Sequence, residues 1–133
     1  MKRTSLRDGG GFEEAAAYSR AVRVGAHVAV SGTAPMSDGA VLHPGDAYAQ
    51  TRAAIGKALD AAAKLGARPE HVIRTRLLLA AGVEWEAPVR AHREAFEGID
   101  PANTSYYVAG FIPEGVLVEV ELDAIVPDAE PPR

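Results

Sequence analysis

The chain has 133 residues, a formal net charge of −4 and no cysteine. This length supports one hydrophobic core, so we expect a single domain over 1–133. The absence of cysteine excludes disulfides, a thiolate nucleophile and a cysteine-ligated metal. The basic residues are scattered and not clustered, which argues against nucleic acid as a partner.

The N-terminal segment is polar. Residues 1–5 are followed by Asp8, three glycines and two glutamates, not by the apolar stretch of a signal peptide or membrane span. We therefore expect a cytoplasmic protein that has no membrane partner.

The first regular elements are two strands and a helix. Valines alternate with other residues between Ala21 and Ala34, and Gly25 interrupts them where a hairpin can turn. The glycine- and proline-containing segment 37–45 predicts a loop. Asp46 is a suitable N-cap for a helix, whose apolar residues recur at helical spacing until Gly66.

The second half of the chain predicts one helix among three strands. Residues 72–79 are β-branched and leucine-rich, which favours a strand. Steps of four, three and four predict a second helix that ends near Gly98 and has one stripe of side chains, namely Trp85, Val89, His92 and Phe96. Residues 104–111 and 116–126 predict the last two strands.

The predicted order is ββαβαββ, an α+β fold with a mixed β-sheet and two helices on one face. Two helices leave the other face of the sheet uncovered. An uncovered face is most readily buried against copies of the same chain, which predicts a closed homo-oligomer.

The last strand carries a row of carboxylates. Glu119, Glu121 and Asp123 alternate with apolar residues and therefore share one face of the strand. Such a row is either a solvated outer surface or a source of a general acid or base, and the strand pattern alone does not single out Glu119. The four histidines lack metal-ligand spacing, so we expect no metal site.

Two segments resemble a known family. Residues 25–35, which contain Ser31-Gly32, and the acidic strand at 117–124 are similar to strands of the Rid (YjgF) family, and Gln50-Thr51-Arg52 also fits. The resemblance covers about 18–126, which leaves 1–16 and 127–133 as peripheral segments. It implies a chorismate-mutase-like subunit that forms a homotrimer with the sheets facing its centre.

The resemblance also implies a ligand site. Deaminases of this family bind a small imine or enamine in a cleft between subunits, where an arginine holds the ligand carboxylate and a glutamate assists water. Tyr18, Ser31, Gly32 and Glu119 match residues that line this cleft. The resemblance therefore favours Glu119 as the catalytic residue, and it implies neither a cofactor nor a metal.

One position departs from the family pattern. Asn103 stands where the deaminases carry the arginine, so a neutral amide replaces a planar cation that can hold a carboxylate bidentately. Either the ligand is not a simple carboxylate, or another cation reaches the cleft. Arg90, on the second predicted helix, is the first candidate for that cation.

The resemblance and these residues suggest three candidate functions. The first is an imine or enamine hydrolase in which Glu119 orients water, Tyr18 and Ser31 position the ligand, and Asn103 hydrogen-bonds its polar end. The second is a metabolite-binding module that is non-catalytic or differently catalytic. Ribonuclease activity ranks last, because no basic groove or stacking platform is evident in the sequence.

Overall fold

The computed structural model describes residues 1–128. The strands are β1 (Arg3–Leu6), β2 (Ala21–Val24), β3 (His27–Thr33), β4 (Met36–Ser37), β5 (Ala40–Val41), β6 (Val72–Ala80), β7 (Ala102–Val108) and β8 (Val118–Ile125). The α-helices are α1 (Gly11–Ala16), α2 (Ala47–Lys64) and α3 (Glu86–Phe96). A short 3-10 turn at Pro69–His71 precedes β6.

Six strands form one mixed sheet in the order β1-β2-β3-β8-β6-β7. The β6–β7 pair is parallel, with α3 in the crossover, and the other pairs are antiparallel. The predicted mixed α+β fold is confirmed.

The core lies between α2 and the centre of the sheet. Val118, Val120 and Leu122 of β8 are fully buried on the face that α2 covers. The facing side of α2 is rich in alanine, including Ala54 and Ala58, and α3 packs against α2. Burying each large apolar side chain contributes about 1.5–3 kcal/mol, so the alternation along β8 fixes which face meets the helix.

The predicted boundaries of α2 are confirmed. The Asp46 side chain accepts a hydrogen bond from the Ala49 N–H at 3.0 Å, as an N-cap does. The helix ends before Gly66, whose φ of 93° is a left-handed conformation that favours glycine.

Four elements were not predicted. The structure adds the edge strand β1, the six-residue helix α1 and the small β4–β5 hairpin inside the predicted loop 37–45. The predicted apolar stripe of α3 was partly wrong, because Trp85 and Val89 are exposed. The buried side of this helix contains Pro88, Ala91 and Phe96 instead.

The face of the sheet opposite α2 is not covered by any element within residues 1–128. Leu78 is on this face between Glu119 of β8 and Tyr106 of β7, and Arg76 is in the next row beside Glu121. The Arg76–Glu121 ion pair spans 3.4 Å. We call the side of the sheet that carries these rows the open face.

Candidate functional site

A cleft of about 560 Å³ lies where the N-terminal segment meets the sheet. The N-terminal segment, the end of β3 and the loop before β8 form its walls. Glu119, Arg20 and Lys57 contribute charged groups to it, together with Asp8 and Glu13. Most of its other walls are apolar, and these are provided by Phe12, Ala16, Ala34, Met36, Phe111, Ile112 and Pro113.

Glu119 reaches this cleft because β8 alternates. Its neighbours Val118 and Val120 face α2, so the Glu119 side chain emerges on the open face of the sheet. The ladder between β3 and β8 is irregular between Val30 and Thr33, and Gly32 lies in that irregularity. A methyl group added at Gly32 would be 2.8 Å from Glu119 Oε1. Glycine therefore leaves the space that the carboxylate occupies.

The environment of Glu119 disfavours its charged form. Partial burial raises the pKa of this carboxyl above its ordinary value, and the negative charge of Glu121 raises it further. The nearby Arg20 cation acts in the opposite direction, but burial has the larger effect. A carboxyl group with a raised pKa inside a cleft is suited to exchanging protons with a ligand.

Arg20 lies beside Glu119 in the same cleft. Its Nη2 donates to the backbone oxygens of Ser31 (2.6 Å) and Gly32 (2.8 Å), and to Thr33 Oγ1 (2.9 Å). These acceptors are neutral. The Arg20 Nε atom is buried and has no hydrogen-bond partner within residues 1–128.

Tyr18 and Ser31 are near each other but contribute differently. Tyr18 lines the cleft directly after α1 and is 39% exposed. The Ser31 hydroxyl donates to the Ser19 backbone oxygen at 2.6 Å, so it holds the segment beside Tyr18. Gly32, and not Ser31, provides the cleft surface at this point.

Asn103 is on the opposite face of the sheet from Glu119 in the same protomer. It pairs in register with the buried Thr75, whereas Glu119 pairs with Leu78 on the open face. The Asn103 amide nitrogen donates to Thr75 Oγ1 at 3.0 Å, and Ser105 Oγ donates to Asn103 Oδ1 at 2.8 Å.

This chain of hydrogen bonds continues to His92. Thr75 Oγ1 is 2.7 Å from His92 Nε2. Thr75 Oγ1 also accepts from Asn103, and with a neutral ring either Thr75 Oγ1 donates to Nε2 or the Nε2–H donates to Thr75 Oγ1, according to the tautomer. Burial lowers the pKa of His92, which favours the same neutral ring.

Arg90 is on α3 and makes another contact. Its guanidinium carbon is 4.1 Å from the centroid of the Tyr48 ring, a cation–π geometry. Tyr48 also donates to the Glu94 carboxylate at 2.6 Å. The protomer therefore brings Tyr18, Gly32 and Glu119 into one cleft and holds Asn103 and Arg90 elsewhere.

The N-terminal wall of the cleft was not predicted from the sequence. Glu13 is 4% exposed, and its carboxylate accepts from the N–H groups of Asp8 and Gly9, each at 3.1 Å. These hydrogen bonds fix the shape of the segment that carries Phe12. The run of glycines is the one feature of the sequence that indicates this turn, because glycine allows a left-handed backbone such as that at Gly9, where φ is 82°.

Gln50 supports the opposite wall. Its fully buried side chain donates to the Gly115 oxygen at 3.1 Å and accepts from the Leu117 N–H at 2.8 Å. These bonds attach the start of α2 to the loop that carries Ile112 and Pro113. A buried amide with both ends bonded fixes this loop relative to β8.

Within residues 1–128, no helix has the length and apolar character needed to cross a membrane. The same residues contain no cluster of three or more histidine or acidic side chains placed to hold a metal ion.

Residues 11–126 match the family described as endoribonuclease L-PSP. The uncharacterised protein SCO2049 of Streptomyces coelicolor is 40% identical over 119 residues, which cover 90% of this chain and 89% of that protein. The crystal structure of Rv2704 from Mycobacterium tuberculosis, a member of the YjgF/YER057c/UK114 family, matches with a TM-score of 0.84 and 38% identity. That match covers 94% of this chain and 100% of Rv2704.

A more distant structure, E. coli TdcF with bound serine, has a TM-score of 0.76 at 19% identity over 92% of this chain and 94% of TdcF. At that identity the likeness concerns the fold alone. The family model and the two closer relatives extend over most of the chain and confirm the resemblance that its strands predict. The chain belongs to the YjgF (Rid) family, whose model is described as endoribonuclease L-PSP.

Proposed function

We propose that the protein hydrolyses small imines or enamines to a carbonyl compound and ammonia, with Glu119 assisting the attack of water. The observation that carries this proposal is the half-buried Glu119 carboxyl group, whose pKa is raised, in a cleft that also contains the Arg20 cation. Tyr18 and Gly32 line the same cleft and shape the space beside Glu119. We place this activity in the cytoplasm. The chain has no cysteine and therefore needs no oxidising compartment in which to form disulfides.

The reaction needs one group that first takes and then returns a proton. The Glu119 carboxylate accepts a proton from water as the water oxygen bonds to the imine carbon. The C=N electron pair moves to nitrogen, to which Glu119 returns this proton, giving a carbinolamine. Glu119 then takes the hydroxyl proton as the C=O bond forms and the C–N bond breaks, and it passes this second proton to the leaving nitrogen, which departs as ammonia. A carboxyl with a raised pKa suits both steps better than one with an ordinary pKa.

We further propose that the cleft is completed by other copies in a homotrimer. The cleft lies at the protomer surface, next to the open face of the sheet. Because Asn103 is on the other face of its own sheet, it contributes to such a cleft only from a second copy. Its amide then hydrogen-bonds the polar end of the ligand.

A second candidate is a binding module of the same fold that captures a metabolite without hydrolysing it. The observation in its favour is the state of Asn103, which is neutral and already bonded to Thr75 and Ser105. Such a residue supplies no charge to a reacting ligand. We do not extend the ribonuclease description to this chain, since its net charge is −4 and Arg76 of the open face is paired with Glu121.

The test is to supply an imine and measure its hydrolysis. An L-amino-acid oxidase converts leucine into the corresponding 2-imino acid, and the rates of ammonia and keto acid release are compared with buffer. We expect acceleration by the protein and a loss of about a hundredfold or more in Glu119→Gln, which cannot take the proton. The rate should also fall on acidification at a higher pH than for an ordinary carboxyl, because protonation at the raised pKa removes the base.

Glu121→Gln is the matched control, because Glu121 is on the same strand but pairs with Arg76 outside the cleft. It should retain activity, and its acidic limb should move to lower pH, because the Glu121 charge that helps to raise the pKa of Glu119 is gone. No acceleration over buffer by the wild type would rule out hydrolysis. Keto acid binding without turnover would favour the binding module.

A further inference from the structure

The Asn103 amide is held in one orientation by its neighbours. Its Nδ2 group points at two acceptors of Thr75, the side-chain Oγ1 at 3.0 Å and the backbone oxygen at 3.5 Å. Its Oδ1 accepts from Ser105 Oγ at 2.8 Å. Because Thr75 is fully buried and Asn103 is exposed, the amide nitrogen faces the interior of the protomer. A carbonyl oxygen has two lone pairs, so Oδ1 can accept one more hydrogen bond from outside.

The Thr75 hydroxyl connects this amide to His92. Its Oγ1 lies 2.7 Å from His92 Nε2 and 3.0 Å from Asn103 Nδ2, and within residues 1–128 it has no third hydrogen-bond partner. A hydroxyl group has one hydrogen to donate. If His92 Nε2 accepts that hydrogen, Thr75 only accepts from Asn103, and the amide must present its nitrogen. If Nε2 carries its own hydrogen, the Thr75 hydrogen is left for Asn103 Oδ1, and the amide must turn around.

The observed orientation of Asn103 agrees with the first of these arrangements. Asn103 donates to Thr75, so the Thr75 hydrogen meets an acceptor only where His92 Nε2 is unprotonated. A buried hydroxyl hydrogen without an acceptor would destabilise the fold. Burial lowers the pKa of His92, which favours a neutral ring with one unprotonated nitrogen. The Phe96 ring packs against this imidazole, with the two centroids 4.7 Å apart.

We propose that His92 and Thr75 are positioning residues that turn the Asn103 oxygen towards the ligand, so that the site takes an N–H or O–H donor at this point. The N–H of an imine is such a donor, whereas a group that only accepts hydrogen bonds is disfavoured. The proposal rests on the proposed function, in which Asn103 of one copy completes the cleft of another.

The first measurement needs neither a variant nor a ligand. Nitrogen NMR spectra of the labelled wild type distinguish the protonated from the unprotonated nitrogen of a neutral histidine ring. We expect His92 to carry its hydrogen on Nδ1, and the Nδ2 hydrogens of Asn103 to show nuclear Overhauser contacts to the Thr75 side chain. A hydrogen on Nε2 would overturn the proposal, because the Thr75 hydrogen would then belong to Asn103.

The second measurement compares the binding of pyruvamide and methyl pyruvate, followed by the shift of the Asn103 amide signal. Both probes are neutral and similar in size, but only the amide carries N–H donors. We expect the wild type to bind pyruvamide about threefold to tenfold more tightly, the usual effect of one neutral hydrogen bond. Equal affinities, or no shift of the Asn103 signal with either probe, would overturn the proposal.

His92→Phe removes the acceptor for the Thr75 hydrogen and keeps a ring beside Phe96. The amide of Asn103 then loses its fixed orientation, so we expect the two probes to bind with nearly equal affinity. His92→Gln supplies a new acceptor, Oε1, and should restore part of the preference. A merely structural role of His92 would weaken both probes alike, and a preference that survives in His92→Phe would refute the positioning role.

The matched control is His71→Phe. His71 lies in the turn before β6, and its Nδ1 accepts from the Arg68 N–H at 2.9 Å, away from Thr75. This variant should keep the preference for pyruvamide even if its stability falls. Loss of the preference in His71→Phe would show that it does not depend on the contact between His92 and Thr75.

The two proposals fail separately, because neither measurement involves turnover. A preference for pyruvamide that depends on His92, without imine hydrolysis, would refute only the hydrolase. Imine hydrolysis by a protein that lacks this preference would refute only the role of His92.

Discussion

Single residues determine the position of the Glu119 carboxylate in the cleft. The alternation of β8 puts Glu119 on the face away from α2, and this could be read from the sequence. The sequence could not show that Gly32, 87 positions earlier, leaves the space for its oxygen. That contact crosses between two strands, and the irregular ladder at Gly32 has no local sequence signal.

Gly32→Ala tests this contact. Because Gly32 does not have a positive φ, the added methyl causes no backbone strain, and its main effect is to displace the Glu119 carboxyl. We expect imine hydrolysis to fall about tenfold to a hundredfold, as small displacements of a catalytic group do. The melting temperature should change little, because the carboxylate end can move.

The control for Gly32→Ala is Gly56→Ala. Gly56 lies within α2, and a methyl group there would meet no atom within 4 Å. Activity should be unchanged, and stability should increase by about 0.5–1 kcal/mol because alanine favours the helix. Full activity in Gly32→Ala would show that the close approach of Gly32 and Glu119 does not matter for turnover.

At the scale of elements, the long amphipathic elements could be predicted from the sequence, but the short elements at the N-terminal end could not. The helix α2 and strand β8 have regular apolar periods because each buries one side in the core. Strand β1 is almost wholly exposed and α1 has six residues, so neither carries such a period. Helix α1 contributes Phe12, Glu13 and Ala16 to the N-terminal wall of the cleft, and β1 precedes that wall in the chain.

The three elements α3, β6 and β7 are connected by the hydrogen bonds among His92, Thr75 and Asn103. Thr75→Val keeps the shape of the buried side chain but leaves both partners without their bond. We expect the free energy of unfolding, measured with urea, to decrease by about 1–3 kcal/mol.

Thr51→Val is the control for Thr75→Val. Thr51 is also fully buried, but its hydroxyl only donates to the Ala47 oxygen one turn back in α2. Replacing Thr51 should lower the free energy of unfolding much less, because the Ala47 oxygen keeps its partner in the helix. Equal losses of unfolding free energy in the two variants would contradict a special role for the hydrogen bonds of Thr75.

At the scale of the whole molecule, the open face predicts self-association. Leu78 and Tyr106 lie in one row of this face beside Glu119, and Tyr106 is 43% exposed. The protomer has no element that covers them within the described 1–128. The trimer stays a prediction that follows from this face and from the family resemblance.

Light scattering after size exclusion should give three times the mass of the chain. Leu78→Lys places a charge at the centre of the proposed contact, so we expect it to yield folded monomers that have lost hydrolysis. Ala63→Lys adds the same charge on the exposed side of α2 and should remain trimeric. A monomeric wild type that hydrolyses imines would refute the requirement for a trimer.

The sequence by itself determined the α+β class, the helix α2 with its cap at Asp46, and the carboxylate face of β8, because each depends on a periodicity within one segment. Its two strand motifs also identified the family. Only the tertiary structure decided that Arg20 and Glu119 share one cleft and that Asn103 and Arg90 lie outside it in the protomer. Such positions depend on strand order, register and one irregular ladder, and these arise from contacts between residues far apart in the chain.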